Sequence, residues 1–238
     1  MTTPLKRQAR RAGLMYLAMA AIMVFAFMYV PGTFVVSGDA TATAHNIATR
    51  GTFYRVGILA TVLSHTLFVF VVLALYHLFR DVDRKLSLLI VALVCVGVAA
   101  ELANILNRAA PLVLLNDGAT YLDVFSRPQR EALAYMFLRL NNSLGQLLML
   151  LWGLWLIPFG MLVNKSGWFP KFLGILLFIA GAAYMIGCVA RLVFPAFYNA
   201  VSPFILPLAI GELGIVLWMA VVGAKENSTT HHILEQHV

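Results

Sequence analysis

The chain has 238 residues, of which 61% are hydrophobic and only 11% charged, and its mean hydropathy is +0.87. Soluble domains carry about 25% charged residues, so this chain cannot coat a globular surface with charge, and two cysteines exclude a disulfide-stapled secreted scaffold. A polytopic membrane protein is the class that remains, and the net charge of +7 has to be read against its spans.

A bilayer core of about 30 Å takes about 20 apolar residues in a helix. Six stretches qualify: Gly13–Val30, Phe53–Phe79, Leu86–Ala110, Tyr135–Val163, Phe172–Phe194 and Ser202–Gly223. The second and fourth exceed a span, which predicts tilt or an interfacial start. Continuous apolar runs, without period-two alternation, indicate helices rather than barrel strands. The basic cluster before the first run is read as flanking a retained span, because about 18 apolar residues are long for a signal peptide.

Between the spans, Asp39 reads as the N-cap of a short Ala/Thr-rich helix that stops at Gly51. Asn116-Asp117-Gly118 reads as a turn, and Ser126 with Pro128 as the start of another helix. Both connections are expected to lie on the outer membrane surface. Trp155, Trp168 and Trp218 fall where an inner aromatic belt would sit, and Phe53, Tyr54, Tyr121 and Tyr198 where an outer one would. Gly174 and Gly181, with Ala183 and Gly187, give the fifth span a small-residue packing seam.

With a cytoplasmic N-terminus, the inner segments hold ten of the seventeen cations and the outer segments hold Arg50, Arg55, Arg127 and Arg130. Arg108, Arg139 and Arg191 fall inside spans. Both termini are then cytoplasmic, and the basic balance reflects topology rather than nucleic-acid binding. The expected fold is an all-α membrane protein: a six-transmembrane-helix bundle with short interfacial helices in the outer loops. Residues 1–224 form a single domain and 225–238 a polar tail, with His231, His232 and His237 solvated there.

The linear order of motifs resembles a known family. ARRAGLMYL from Ala9 to Leu17 is followed by SGDATATAHNI from Ser37 to Ile47 and FYRVGI from Phe53 to Ile58. ALYHL from Ala74 to Leu78, RDVDR from Arg80 to Arg84, Gly211-Glu212-Leu213 and Leu217-Trp218 complete the series. The chain resembles the domain-of-unknown-function 4386 family of bacterial multi-pass membrane proteins. The resemblance implies a location in the bacterial cytoplasmic membrane, and it implies no activity, cofactor or catalytic residue.

Polar residues inside the spans carry the functional expectation. An ionised side chain at a helix centre costs about 2.5–3.5 kcal/mol on insertion scales. Arg108 and Arg191 lie near span ends and are expected to snorkel, whereas Glu101, Arg139 and Glu212 lie deeper and need pairing, neutralisation or water. Glu101, Asn104 and Arg108 follow i, i+3, i+7 spacing, and Arg139, Asn142 and Gln146 repeat it, so each set forms one helical face. With His65, Arg191 and Glu212 in the same zone, the expectation is an outward-facing polar cavity. Guanidinium forks suit a carboxylate or phosphate, so the expected ligand is a small anionic or amphiphilic molecule. The alternatives are an intramembrane enzyme using Glu101 or Glu212 as general acid/base with His65 assisting, and an accessory subunit of a membrane complex. Association with a second copy or another membrane protein through the helices is a further expectation.

A His65, Glu101, Glu212 metal site lacks the H-x-x-x-H or H-E-x-x-H spacing that would support it, so no metal is expected. Cys188 lies one turn from Arg191 and reads as small buried filler. A short echo between Gly97–Leu102 and Ala209–Leu213 would relate two oppositely directed copies.

Overall fold

The computed structural model describes residues 3–198, 208 and 211–225, and every regular element among them is helical. Helix α1 (Pro4–Val24) passes through a π-helical turn (Phe25–Tyr29) into α2 (Val30–Phe34). Then come α3 (Ala40–Thr49), α4 (Gly51–Phe79), α5 (Arg84–Leu114), α6 (Arg127–Leu154), α7 (Leu156–Ser166), α8 (Lys171–Val193) and α9 (Gly211–Val221). Five stretches among the described residues are long and apolar enough to cross a membrane: Pro4–Phe34, Gly51–Phe79, Arg84–Leu114, Arg127–Ser166 and Lys171–Val193. The protein is therefore an all-helical, multi-pass membrane protein. Part of the expected sixth span lies outside the described residues, and its described part contains α9, an apolar helix of 11 residues. The tail beyond Lys225, its histidines, and Ala209 and Ile210 of the internal echo also lie outside them.

The local signals for the connections hold. The Asp39 carboxylate accepts the Ala42 amide at 2.8 Å and caps α3. The Asn116 side chain accepts the Gly118 amide at 3.1 Å, which closes the turn before α6. The Ser126 amide donates to the Gln129 side chain at 2.8 Å, the returning half of a capping box. Helix α5 runs through Pro111 to Leu114, past the expected end at Ala110.

The fourth expected span is divided. Pro158 has no N–H for the Leu154 carbonyl, and the helix breaks at Trp155 before resuming at Leu156. Trp155 is 2% exposed and Trp168 is also buried, so neither is a lipid-facing belt residue as expected. They belong instead to an internal aromatic column. Phe68 meets Trp152 and Trp155 at centroid distances of 5.5 and 5.4 Å, Trp155 stacks on Phe159 at 5.3 Å, and Phe79 stacks on Trp168 at 5.8 Å. Such ring pairs contribute about 0.5–1.5 kcal/mol each beyond their buried area. Tyr54, placed at the outer belt by sequence, is likewise buried.

Packing divides the chain into two compact units. One comprises Met1–Ala18, Phe68–Gly97 and Leu148–Val238, and the other Met19–Leu67 and Val98–Leu147. The second unit's apolar core is Val30, Phe34, Ile47 and Tyr54, with Phe53, Ile58, Leu112 and Leu138 packed against it. Helix α3 is tied back onto α2 there, because Asn46 donates to the Phe34 carbonyl at 3.2 Å and Arg50 to the Thr33 carbonyl at 3.1 Å.

In the first unit, the glycine seam works by backbone contact. A Cβ on Gly153 would lie 2.6 Å from the Gly181 carbonyl oxygen, and one on Gly181 would lie 2.8 Å from that of Gly153. Gly160 meets the Gly174 carbonyl in the same way, at 2.9 Å. Without water to drive apolar burial, membrane helices associate through such close packing. Helix α1 approaches α9 similarly, since a Cβ on Gly13 would fall 2.4 Å from the Ala220 nitrogen. Gly153→Ala and Gly181→Ala should each destabilise the protein by about 1–3 kcal/mol through overpacking. Gly32→Ala, which meets nothing within 4 Å, should leave stability unchanged or slightly raised. Unfolding midpoints in mixed micelles check all three.

Asp83 joins the start of α5 to the last turn of α7 by accepting the Leu86 amide at 3.1 Å and the Lys165 ammonium at 2.8 Å. The hydrogen bond from Lys165, and then that from the Leu86 amide, hold the Asp83 carboxyl below its usual range. The unfolded carboxyl titrates near about 3.9, and the folded one lower, so the stabilisation is complete above that pH. It is lost as pH falls through the folded value. Melting temperature measured from pH 6 down to pH 3 should therefore lose this contribution in the wild type and lack that step in Asp83→Asn.

Candidate functional site

Helix α5 carries the polar face expected from its spacing, and that face is buried: Glu101 is 6%, Asn104 2% and Arg108 4% exposed. Arg108 does not snorkel to a surface, contrary to expectation. Its guanidinium donates from Nη1 to the Thr61 hydroxyl at 2.9 Å and from Nη2 to the Ala26 carbonyl at 2.6 Å. The Phe27 ring lies 5.9 Å from the guanidinium carbon, within cation–π range.

The Ala26 carbonyl is available for a local reason. In the π turn, the Val30 N–H bonds the Phe25 carbonyl. The N–H that would serve Ala26 in the same register belongs to residue 31, a proline, which has none. Arg108 supplies the missing donor. Tyr54 fixes the other side of the residue, its hydroxyl donating to the Arg108 carbonyl at 2.6 Å.

Thr61 is the hub of the same cluster. Its hydroxyl donates to the Gly57 carbonyl at 3.0 Å while accepting from Arg108. Its carbonyl takes the Ser64 hydroxyl at 2.9 Å and His65 Nδ1 at 2.8 Å. A carbonyl only accepts, so the His65 proton sits on Nδ1. Phe27 packs edge-on against the His65 ring, with centroids 5.7 Å apart, and thus touches both His65 and Arg108.

Glu101 and Asn104 face α6, but the partner there is one residue from the expected one. Asn104 Nδ2 donates to Glu101 Oε2 at 3.3 Å and to the Asn141 carbonyl at 3.0 Å, and Asn141 Nδ2 returns a bond to the Asn104 carbonyl at 3.1 Å. Asn107 adds a bond to Asn104 Oδ1 at 3.2 Å. Gly145, one turn after Asn141, borders the same pair, since a Cβ there would stand in ordinary contact, 3.8 Å from Glu101 Oε1. The inward stripe of α6 is thus Ala134, Leu138, Asn141, Gly145 and Leu148. Arg139 and Asn142 are exposed and Gln146 is half-buried, on the adjoining face. Shared spacing identified a polar face correctly, but polarity alone does not say which face packs.

The other unit holds the remaining candidates. Glu212 accepts the Tyr16 hydroxyl at Oε1 and the Tyr184 hydroxyl at Oε2, the latter at 3.4 Å. Neither tyrosine stands out in sequence, because each lies in an apolar run with no charged residue within one helical turn. Arg191 stacks over the Tyr198 ring at 5.1 Å, and Cys188 is buried. His65, Glu101, Asn104, Arg108, Arg139, Asn142 and Gln146 therefore share one unit, while Arg191 and Glu212 belong to the other. Among the described residues, no three His, Cys, Asp or Glu side chains gather as a metal site.

Arg108→Met strands a buried carbonyl at a cost of about 1–3 kcal/mol, set against the relief of removing a buried charge. Pro31→Ala gives the turn a backbone donor, so the cost of Arg108→Met should shrink in that background. A double-mutant cycle on unfolding midpoints should return a coupling of about 1 kcal/mol.

No curated protein and no solved structure matches the chain. Residues 11–223 match the family described as Domain of unknown function (DUF4386). That match takes in the π turn, the buried face of α5 and the Glu212 cluster, and the chain belongs to the DUF4386 family.

Proposed function

We propose that this membrane protein binds or carries a small anionic or amphiphilic molecule, with Arg108 as the charge that selects it. The observation that carries the reading is the pairing of this side chain. Among the described residues, no carboxylate lies within 4.0 Å of the buried guanidinium, and its bonds go to neutral oxygens. An uncompensated buried ion carries a penalty of several kcal/mol, which an anionic head group offsets. Asn104 orients the ligand, and Glu101 makes its binding depend on protons or cations. Arg139, Asn142 and Gln146 offer further contacts on the exposed side of α6. Arg191 and Glu212 form a second group of candidates.

The same proposal places the chain in the bacterial cytoplasmic membrane, crossing it six times with both termini inside and residues 225–238 as a tail. The family match and the asymmetry of Lys and Arg support this.

A specific observation favours a second reading. The Thr61 carbonyl fixes the tautomer of His65, and such orientation suits a group that assists acid/base chemistry by Glu101 on a lipid or isoprenoid.

Native mass spectrometry from lipid nanodiscs, with a fatty acid as probe, tests the first reading. The wild type should retain a discrete adduct. Arg108→Lys, which keeps the charge but loses the fork, should weaken it about tenfold or more, and Arg139→Glu should abolish it without unfolding the chain. Unchanged affinity in both variants overturns the reading. A bare wild-type mass points to catalysis with transient substrate, and a heteromeric mass to an accessory subunit.

A further inference from the structure

We infer that the start of α1 is a binding site for an anionic phospholipid. Arg7 and Arg11 lie one turn apart and are exposed, and the same stripe continues through Leu14, 58% exposed, to Ala18. Two guanidiniums thus stand directly above an apolar track on one helix face. Lys6 and Arg10 turn the other way and pack on Gly223, where a Cβ would lie 2.8 Å from Lys6 Cγ and 3.3 Å from Arg10 Cγ. Gly223 has φ +79°, a conformation that glycine adopts freely, and its missing side chain leaves room for this approach. Lys225, two residues on, is exposed and adds a fifth cation.

Among the described residues, no carboxylate forms an ion pair with Lys6, Arg7, Arg10, Arg11 or Lys225. The first turn of α1 contains no acidic residue. Arg10 is committed by Nη2 to the Val221 carbonyl at 2.7 Å, yet its Nε is buried without an acceptor. A buried unpaired donor carries a desolvation penalty that an acceptor relieves. A phosphodiester supplies both acceptor oxygens and negative charge.

The apolar stripe decides between a lipid and a soluble anion. A free phosphate would use only the cations, whereas a phospholipid also covers Leu14 and Ala18 with its acyl chains. The site lies within one unit, whereas Arg108 belongs to the other, and it does not rest on the ligand proposed for that residue.

The test is native mass spectrometry from nanodiscs of equal phosphatidylglycerol and phosphatidylcholine. Retained adducts should be phosphatidylglycerol. A surface cation contributes about fivefold to anionic-lipid affinity, so Arg7→Gln with Arg11→Gln should weaken retention about 25-fold. Both residues are exposed, and an unchanged melting temperature in phosphatidylcholine confirms the fold. Arg84→Gln with Lys85→Gln removes the same charge from the exposed start of α5 and should leave retention intact. Equal retention of the two lipids, equal loss in the two double variants, or displacement by millimolar inorganic phosphate would each overturn the inference.

Discussion

Every backbone carbonyl in a membrane-spanning helix needs a donor, because hydrocarbon offers none. Pro31 withholds one from the first span, and much of the surrounding structure answers that deficit. The helix winds into a π turn at Phe25–Tyr29, and the Ala26 carbonyl takes its bond from Arg108 on another helix. Arg108 is in turn held by Thr61, and its own carbonyl by Tyr54. Val30, just past the turn, then packs so close to Gly57 that a Cβ there would lie 2.5 Å from a Val30 methyl. One missing N–H thus links α1, α4 and α5 and brings a guanidinium into an apolar setting.

The same economy explains why this cluster reads two ways. Polar contacts between membrane helices contribute about 0.6 kcal/mol on average, which is small beside the cost of burying an ion. A neutral donor such as glutamine could serve a carbonyl without that cost. The choice of arginine is therefore the feature that the proposed anionic ligand explains. Glu212, by contrast, is met by two phenol hydroxyls, an arrangement that satisfies the carboxyl group within its own unit.

Features governed by neighbours in sequence were legible in advance. Five of the six expected spans follow from composition, and the caps at Asp39 and Ser126 and the turn at Asn116 follow from side chains that reach only three residues along the chain. The polar face of α5 was legible too, because helical spacing alone places Glu101, Asn104 and Arg108 together. What spacing cannot supply is the rotation of one helix against another. Asn141 and Asn142 are equivalent in sequence, and only the bonds exchanged with Asn104 show which of them turns inward. Tyr16 and Tyr184 were hidden for the same reason, since their role depends on a carboxylate from a distant part of the chain. The break at Trp155 was readable from Pro158, but the burial of that indole depended on Phe68, Trp152 and Phe159 arriving around it.

The glycines at the end of α6 and in α7 and α8 constrain something other than packing. Gly167, with φ +64°, ends α7 and is the midpoint of the hairpin. Gly160 and Gly174 stand seven residues to either side of it, and Gly153 and Gly181 fourteen. The contacts between them are thus a mirror in sequence, reflected through the turn. Adding or removing one residue in that turn would shift every pair at once and set a side chain against a backbone where glycine now faces carbonyl. Loops usually absorb such changes freely. In this hairpin the length of the turn is as tightly specified as any buried side chain, and its lineage should vary there by substitution rather than by insertion.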